Sequence, residues 1–401
     1  MKLLWVCPTF LHPTTRGGQI RTLGMLREMH RDHEIHFAAL RRPEDGESGV
    51  RHAPEFCTRA YPVDHRPPGA RSLGFYGQFA RNLLSNVPLA VSRWESATLR
   101  HAVEQLLARE EFDYLVCDFL AAAPNVPDMS RAVLFQHNVE AVIWERRREQ
   151  ATNPLHRQVY RQEARRMFNY ERRICREAAK VIAVSDEDAV RMRTMFGLAE
   201  CFAVPTGVDL DYFQPSANPE PLADLVFSGS MNWAPNIDGV LYFCEEILPL
   251  IRRERPTCRV AIVGRTPPPE VLRLPEKHPD VIVTGTVPDI RPYLWGSTVC
   301  VVPLRIGGGT RLKIYECMAA RLPVVSTGVG AEGLPVTHDK NILLADTPQA
   351  FADACLAVLS DQGKRQALSH EGHKLVEANS WRRAAEKFVE ILSYKSVSSP
   401  C

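Results

Sequence analysis

Residues 301–316, VVPLRIGGGTRLKIYE, form the stretch that decides the fold. An apolar run of strand length leads into three glycines, and a helical segment with Arg311, Lys313 and Glu316 follows. This order of strand, loop and helix is typical of α/β units built on parallel sheets. The glycines and the helix start offer backbone amides beside two cations, a combination that suits a diphosphate.

The same alternation of short apolar runs and helical stretches extends along the whole chain. A turn-rich segment, VPTGVD at 204–209 followed by Pro215, Pro219 and Pro221, separates two series of these units. We predict two α/β domains, 1–206 and 207–378, and a C-terminal helix with a frayed tail at 379–401. The eleven predicted strands lie at about 2–7, 34–40, 113–117, 132–136, 181–184, 224–228, 259–263, 281–284, 299–302, 323–326 and 342–344.

Composition excludes several classes of protein. With 401 residues, 45% of them apolar and 24% charged, the chain is long enough for two cores and unlike a disordered sequence. A net charge of +2 disfavours dedicated nucleic-acid binding. Eleven cysteines without a Cys-x-x-Cys pair favour a cytoplasmic protein. The sequence predicts no transmembrane helix, and we interpret residues 2–7 as a strand and not as part of a signal peptide.

A long predicted helix at 139–179 contains ten arginines. One interpretation is peripheral contact with an anionic membrane or partner. The other is a solvated face with ion pairs along the helix, while Phe168, Tyr170 and Ile174 face the core. The three apolar residues favour the second interpretation, and the first stays open.

Two further motifs are interpreted as structural. Residues 328–333, GVGAEG, match the dinucleotide fingerprint G-x-G-x-x-G, but LPVT follows where that motif requires a helix. A dehydrogenase is therefore disfavoured. The acidic pair Asp209 and Asp211 lies in the predicted linker and is interpreted as part of a turn. Since no cluster of metal-ligating residues appears, we expect neither a metal nor a cofactor.

Two sites could bind phosphate or ribose. Gly17 and Gly18 precede a helix, so their amides could form an anion cradle or simply a turn. Glu316 lies one turn beyond the C-terminal cradle and could accept hydrogen bonds from ribose hydroxyls. The alternative is that Glu316 pairs with Arg311 and Lys313 on a solvated face. We favour the ligand-binding interpretation for the C-terminal motif.

Together these motifs resemble glycosyltransferase family 4, whose members are retaining enzymes of the GT-B fold. The resemblance covers nearly the whole chain and rests on the first glycine pair, FQHN at 135–138, PTGVD at 205–209 with Phe213 and Pro215, and GGGTRLKIYECMAARLPVVST at 307–327. It is closest to bacterial polysaccharide-type members with the motif G-T-R-L-K-I-x-E. It implies two Rossmann-like domains that face a central cleft, and a C-terminal helix that crosses back to the first domain. The second domain would hold most of a nucleotide-sugar donor.

The resemblance also implies roles for individual residues. His137, Arg311 and Lys313 would be catalytic, with His137 beside the sugar and the acceptor and the two cations neutralising the pyrophosphate. Glu316 would bind the ribose. The rest of the donor site would comprise Gly17, Gly18, Gly229, Ser230, Arg265, Val287, Gly308, Gly309 and Thr310, and the acceptor side Arg21 and Asn138.

The chain departs from the family pattern at two places. Gly308 stands where many members have a glutamate that contacts the transferred sugar. Residues 229–233, GSMNW, replace a segment in which many members carry an arginine and a lysine. The charge that neutralises the pyrophosphate must then come from Arg311 and Lys313, with Arg265 as a further candidate.

We therefore expect a retaining, metal-independent hexosyltransferase in glycan, polysaccharide or glycoconjugate biosynthesis. Its partners would be a nucleotide-diphosphate sugar and a glycan, lipid-linked or small-molecule acceptor, without nucleic acid. No second carboxylate is evident as a nucleophile, which favours front-face attack assisted by the leaving phosphate over double displacement. Two alternatives stay open: a non-catalytic sugar-nucleotide-binding or partner protein, and a nucleotide-sugar epimerase on the same fold.

Overall fold

The computed structural model describes residues 1–14, 17–43, 47–66, 85–151, 153–306 and 312–394. Gly308, Gly309, Thr310 and Arg311 lie outside the described residues. The chain divides into two compact units. Unit 1 comprises Met1–Pro205 and Trp381–Cys401, and unit 2 comprises Thr206–Ser380.

Unit 1 contains a parallel sheet of seven strands in the order β3-β2-β1-β4-β5-β6-β7. The central strands are apolar on both faces, as expected where helices cover both sides of a sheet. The strands are β1 (Lys2–Cys7), β2 (Glu34–Arg41), β3 (Arg59–Asp64), β4 (Tyr114–Asp118), β5 (Ala132–Phe135), β6 (Lys180–Ala183) and β7 (Phe202–Ala203). The helices before unit 2 are α1 (Gly17–Met29), α2 (Ser48–Arg51), α3 (Leu89–Ser92), α4 (Ala97–Arg109), α5 (Glu140–Gln150), α6 (Pro154–Glu177) and α7 (Asp186–Phe196).

Unit 2 has a parallel sheet of six strands in the order β10-β9-β8-β11-β12-β13. The strands are β8 (Ala223–Ser228), β9 (Val260–Val263), β10 (Val281–Gly285), β11 (Ser297–Val302), β12 (Val324–Ser326) and β13 (Leu343–Leu344). The helices are α8 (Leu210–Phe213), α9 (Ala234–Tyr242), α10 (Leu248–Glu254), α11 (Pro269–Leu272), α12 (Leu274–Lys277), α13 (Arg291–Trp295), α14 (Leu312–Ala319), α15 (Pro348–Ser360) and α16 (Gln362–Glu377).

The last helix, α17 (Trp381–Ser393), belongs to unit 1 and packs against α1. Gly24 permits this close approach, because a Cβ there would lie 2.5 Å from the Trp381 ring. Phe388 reaches the centre of the sheet, where its ring centroid lies 5.4 Å from that of Trp5 and 5.2 Å from that of Phe135. These contacts make α17 part of the core of unit 1.

The two parallel sheets confirm the predicted fold class, and all eleven predicted strands are present. Two edge strands were missed: β3 contains Pro62 and charged residues, and β7 has only two residues. The prediction of one helix over 139–179 was wrong, because α5 ends at Gln150 and α6 begins at Pro154. Pro154 favours a helix start, since proline has no amide hydrogen to donate to a preceding turn. No helix in the described parts of the chain is both long and apolar enough to span a bilayer.

Candidate functional site

Each sheet has one point at which the strand order reverses. This point lies between β1 and β4 in unit 1, and between β8 and β11 in unit 2. In open parallel sheets, ligands bind outside the carboxyl ends of the strands at such a point. The residues that follow β4, β5, β8 and β11 are therefore candidates for a binding site.

In unit 1 the central feature is a buried pair formed by His137 and Asp118. His137 Nε2 lies 2.7 Å from Asp118 Oδ1, and both side chains are at most 2% exposed. The other carboxylate oxygen accepts hydrogen bonds from Trp5 Nε1 at 2.9 Å and Thr22 Oγ1 at 2.8 Å. Because the carboxylate accepts, His137 Nε2 is the nitrogen that carries a proton.

His137 Nδ1 is buried and has no hydrogen-bond partner among the described residues. Burial lowers the pKa of His137, although the nearby Asp118 opposes this shift. A neutral His137 that donates from Nε2 presents a lone pair at Nδ1, so it can accept a hydrogen bond from a hydroxyl group.

Phe119 fixes the plane of this imidazole. Its ring stacks on His137 with centroids 3.8 Å apart and an angle of 17° between the planes. Phe119 has a φ of 71°, an uncommon value for a residue with a side chain. A Cβ on Gly18 would lie 2.2 Å from Phe119 Cζ. The glycine at this position therefore lets α1 begin directly against the ring that covers His137.

The two predicted acceptor-side residues, Arg21 and Asn138, differ in their burial. Arg21 is only 5% exposed, and burial lowers its pKa to about 10 against the opposing charges of Asp188 and Asp118. It is still a cation at neutral pH. Asn138 is partly exposed beside His137, and its amide lies 3.5 Å from the carboxylate of Glu140.

A buried carboxyl group holds the loop that carries His137. Glu171 on α6 accepts hydrogen bonds from Gln136 Nε2 at 2.7 Å and from the backbone amides of Glu140 and Ala141 at 3.0 and 2.7 Å. Burial raises the pKa of Glu171 to about 8, with a further contribution from Glu140. Glu171 thus supplies the acceptor that the first turn of α5 requires.

In unit 2, Lys313 extends from α14 to the end of β8. Its ammonium donates a hydrogen bond of 2.9 Å to Asn236 Oδ1 and lies 4.1 Å from the centroid of the Phe227 ring. A Cβ on Gly229 would lie 2.6 Å from Lys313 Nζ. A lysine from beyond β11 thus places its charge beside the loop that follows β8.

The loop after β8 is held by a chain of hydrogen bonds. Asn236 Nδ2 donates to the carbonyl oxygen of Ser230 at 2.8 Å. Arg265 Nε donates to Ser230 Oγ at 2.8 Å, and this hydroxyl donates to Asn232 Oδ1 at 2.8 Å. The structure therefore brings the predicted residues Gly229, Ser230, Arg265 and Lys313 together at the carboxyl edge of the second sheet.

Glu316 follows Lys313 on the same helix and is partly buried. Burial raises the pKa of Glu316 to about 7, although Lys313 opposes the shift. Tyr212 on α8 is close enough for the charge of Glu316 to contribute to its raised pKa, for which burial is the main cause. The Arg291 guanidinium lies 4.1 Å from the centroid of the Tyr212 ring. Val287, predicted to lie at the nucleobase, is partly buried against the core of unit 2.

Sequence reasoning missed several residues of these sites, among them Asp118, Asn236 and Tyr212. Asp118 directly follows a predicted strand, so its position at a carboxyl edge was a usable signal. Asn236 and Tyr212 lie in helices that begin just after a loop, and nothing in their local sequence distinguishes them. Only the tertiary contacts reveal their partners.

One group of side chains in the described residues has the geometry of a metal site: Glu34, His36 and Glu110. Lys2 Nζ already lies 2.7 Å from Glu110 and 3.6 Å from Glu34. Lys2 and Glu34 begin their strands, whereas Asp118 ends its strand, so this group lies at the opposite edge of the sheet. The lysine ammonium supplies the positive charge there, and we interpret the group as a structural ion cluster.

Comparison with protein families gives two matches, one in each half of the chain. Residues 15–212 match Glycosyltransferase Family 4, and residues 223–361 match Glycosyl transferases group 1. This chain belongs to glycosyltransferase family 4. The family assignment and the two parallel sheets identify it as a glycosyltransferase of the GT-B type. A protein in the cps region of Klebsiella pneumoniae, described as uncharacterized, is 20% identical over 86% of this glycosyltransferase and 87% of its own length.

Solved structures share the fold of the glycosyltransferase over nearly its whole length. The sucrose-phosphate synthase of Thermosynechococcus elongatus has a TM-score of 0.71 with 18% identity, over 97% of both chains. The Anabaena protein HepE, solved with UDP-glucose, has a TM-score of 0.66 with 14% identity, over 98% of this chain and 99% of its own. At these identities the likeness concerns the fold alone.

Proposed function

We propose that this glycosyltransferase transfers a hexose from a nucleotide-diphosphate sugar to an acceptor hydroxyl, with retention at the anomeric carbon and without a metal. The observation that carries the proposal is the convergence of Lys313, Gly229 and Glu316 at the carboxyl edge of the second sheet. Lys313 supplies positive charge and Gly229 leaves room for it. Glu316 supplies acceptor oxygens one helical turn away.

The donor binds with its diphosphate at Lys313 and its ribose at Glu316. The family resemblance implies that Arg311 and the amides of Gly309 and Thr310 would contribute to the same phosphate site, and that Gly17 and Gly18 would also bind the donor. The structure of HepE with UDP-glucose supports a UDP-sugar as the first donor to test. Val287 contributes backbone contacts to the base. Gly308 leaves sugar recognition to other groups, because it has no carboxylate.

The chemistry rests on charge stabilisation and positioning. The acceptor oxygen attacks the anomeric carbon on the face from which the diphosphate leaves, and the bond between that carbon and the phosphate oxygen breaks. The acceptor proton passes to an oxygen of the departing diphosphate. Lys313 and Arg311 stabilise the negative charge that accumulates on the diphosphate, which lowers the barrier without a metal ion. Lys313 is partly buried, so its charge is screened less than in water.

His137 positions a hydroxyl group of the sugar or of the acceptor. Its Nδ1 lone pair accepts a hydrogen bond from that hydroxyl, while Asp118 holds the imidazole through Nε2. Arg21 and Asn138 complete the acceptor side. The acceptor belongs to a glycan, a lipid-linked saccharide or a small molecule. The resemblance to polysaccharide-type members supports a role in glycan or glycoconjugate synthesis.

The test is release of nucleoside diphosphate from a panel of nucleotide sugars, measured with and without candidate acceptors. Lys313→Ala and Arg311→Ala should each lower turnover by about 10²-fold or more. Wild-type rates in both variants would contradict the proposal. Donor binding without release would identify a non-catalytic binding protein, and conversion of the donor to its epimer would identify an epimerase.

A further inference from the structure

One face of α6 carries a row of arginines that no other described helix matches. Arg157, Arg161, Arg165 and Arg172 are all exposed and define what we call the arginine ridge. At 100° per residue, all four lie within an arc of about 80°. They span about 22 Å along the helix axis. The ridge is therefore one continuous basic surface on unit 1.

The acidic residues of α6 do not neutralise this surface. Glu163 is buried, where it accepts a hydrogen bond from the amide of Leu89 and pairs with Arg166 at 3.0 Å. Glu171 is also buried, where it accepts hydrogen bonds from the backbone amides at the start of α5. Among the described side chains of α6, Glu177 at its C-terminal end is the exposed acid. No carboxylate of the described residues lies within ion-pair distance of the ridge.

Several arginines on other helices have acidic partners one turn away, whereas others, such as Arg109 and Arg253, have no ion pair among the described residues. Arg191 pairs with Glu187 at 2.7 Å, Arg100 with Glu104 at 3.3 Å, and Arg382 with Glu386 at 3.1 Å. These pairs follow the usual pattern of a solvated helix face. In the ridge, like charges stand four residues apart, which destabilises a helix. The ion pairs expected along this helix are missing at the ridge, and the ridge differs from other exposed arginines because its four cations share one helix face.

We propose that the arginine ridge docks the protein on an anionic phospholipid bilayer. Guanidinium groups bind phosphate with paired hydrogen bonds, and a row along one helix face can meet a flat layer of headgroups at several points together. The net charge of +2 disfavours nucleic acid as the partner, since a dedicated binder would carry excess positive charge. The proposal does not depend on the donor site.

The test is co-sedimentation of the full chain with vesicles of phosphatidylcholine alone or with 30% phosphatidylglycerol, about that fraction being enough to charge the surface. We expect binding to the anionic vesicles at low salt and its loss at high salt. The variant Arg157→Gln/Arg161→Gln/Arg165→Gln/Arg172→Gln should bind at least about 100-fold more weakly, since each basic residue near such a surface contributes about fivefold.

The matched control removes the same charge from exposed positions outside α6: Arg51→Gln/Arg109→Gln/Arg253→Gln/Arg273→Gln. It should keep most of the binding. The ridge variant should fold with an unchanged or raised melting temperature, because it relieves repulsion between like charges. Equal binding by the ridge variant and the control, or no binding to anionic vesicles at low salt, would overturn the proposal. Tighter binding to an oligonucleotide, lost in the ridge variant, would overturn it in favour of nucleic acid.

Discussion

Asn236→Ala is the most informative substitution, because Asn236 acts on the proposed donor site only through other residues. Asn236 is 4% exposed, and its side-chain amide joins Lys313 Nζ at 2.9 Å to the carbonyl oxygen of Ser230 at 2.8 Å. Alanine removes both hydrogen bonds, including the one that holds the ammonium beside the Phe227 ring. Lys313 then gains alternative rotamers, so less of its charge meets the diphosphate.

The size of the effect follows from these contacts. A hydrogen bond to a charged group contributes about 1.5–3 kcal/mol. If about 1–2 kcal/mol of this fixes Lys313 for the donor, the Kd of the nucleoside diphosphate rises about five- to thirtyfold. The assay is isothermal titration calorimetry with the nucleoside diphosphate that stabilises the wild type most. Asn236→Asp keeps an acceptor for Lys313 but adds negative charge, so it should lower affinity with little loss of Lys313 ordering.

A double-mutant cycle separates positioning from a merely structural role. In a Lys313→Met background, Asn236→Ala should have little further effect on Kd, because the group that it positions is absent. Melting temperature reports the structural cost separately. Equal effects of Asn236→Ala on Kd in the two backgrounds would refute the reasoning, and so would wild-type affinity in the single variant.

Three other predictions concern single residues. Gly18→Ala should lower the unfolding free energy by about 1–3 kcal/mol, because the new Cβ overlaps the Phe119 ring. The control Gly363→Ala in α16 should be neutral or stabilising. Equal melting temperatures of the two variants would contradict this prediction. Glu171→Ala should lower the unfolding free energy by about 1–3 kcal/mol, since it leaves the Gln136 side chain and the backbone amides of Glu140 and Ala141 without their acceptor, and chemical denaturation checks this. Glu316, with a pKa raised from 4.5 to about 7, binds its proton more tightly in the folded state. The contribution of Glu316 to stability is therefore present below pH 4.5 and is lost as the pH rises to 7. Donor affinity needs the ionised carboxylate, so it should rise from pH 6 to 8. Glu316→Gln should show neither trend.

The strands of both sheets were predictable because most are buried on both faces. Runs such as residues 299–302 are continuously apolar, which is typical of a strand in a parallel sheet covered on both faces. The helical stretches between such runs indicate parallel α/β units. The two missed strands are at or near sheet edges, where little burial constrains the sequence. The break between α5 and α6 shows the limit of periodicity: the helical pattern continues through residues 151–153, and only Pro154 marks the new start.

The candidate site was predictable where chemistry and position coincide in the sequence. Lys313 and Glu316 follow a glycine-rich loop, and His137 follows a strand, so each carries a local signal. Asn236 and Tyr212 acquire their partners only through folding, from segments 77 and 104 residues away from Lys313 and Glu316 respectively. The buried side of α6 was indicated by Tyr170 and Ile174, but burial of Glu163 and Glu171 on that side was not.

Thermal-shift screening of UDP, GDP, ADP, CMP, dTDP and their sugar conjugates tests the central claim most directly, because it requires no acceptor. One nucleotide at about 100 times its Kd should stabilise the folded state by about 2.7 kcal/mol and raise the melting temperature of unit 2 by about 5–10 °C. The same nucleotide should give no shift with Glu316→Ala. An equal shift in wild type and Glu316→Ala, or no shift with any nucleotide in folded protein, would contradict a donor site at Lys313 and Glu316.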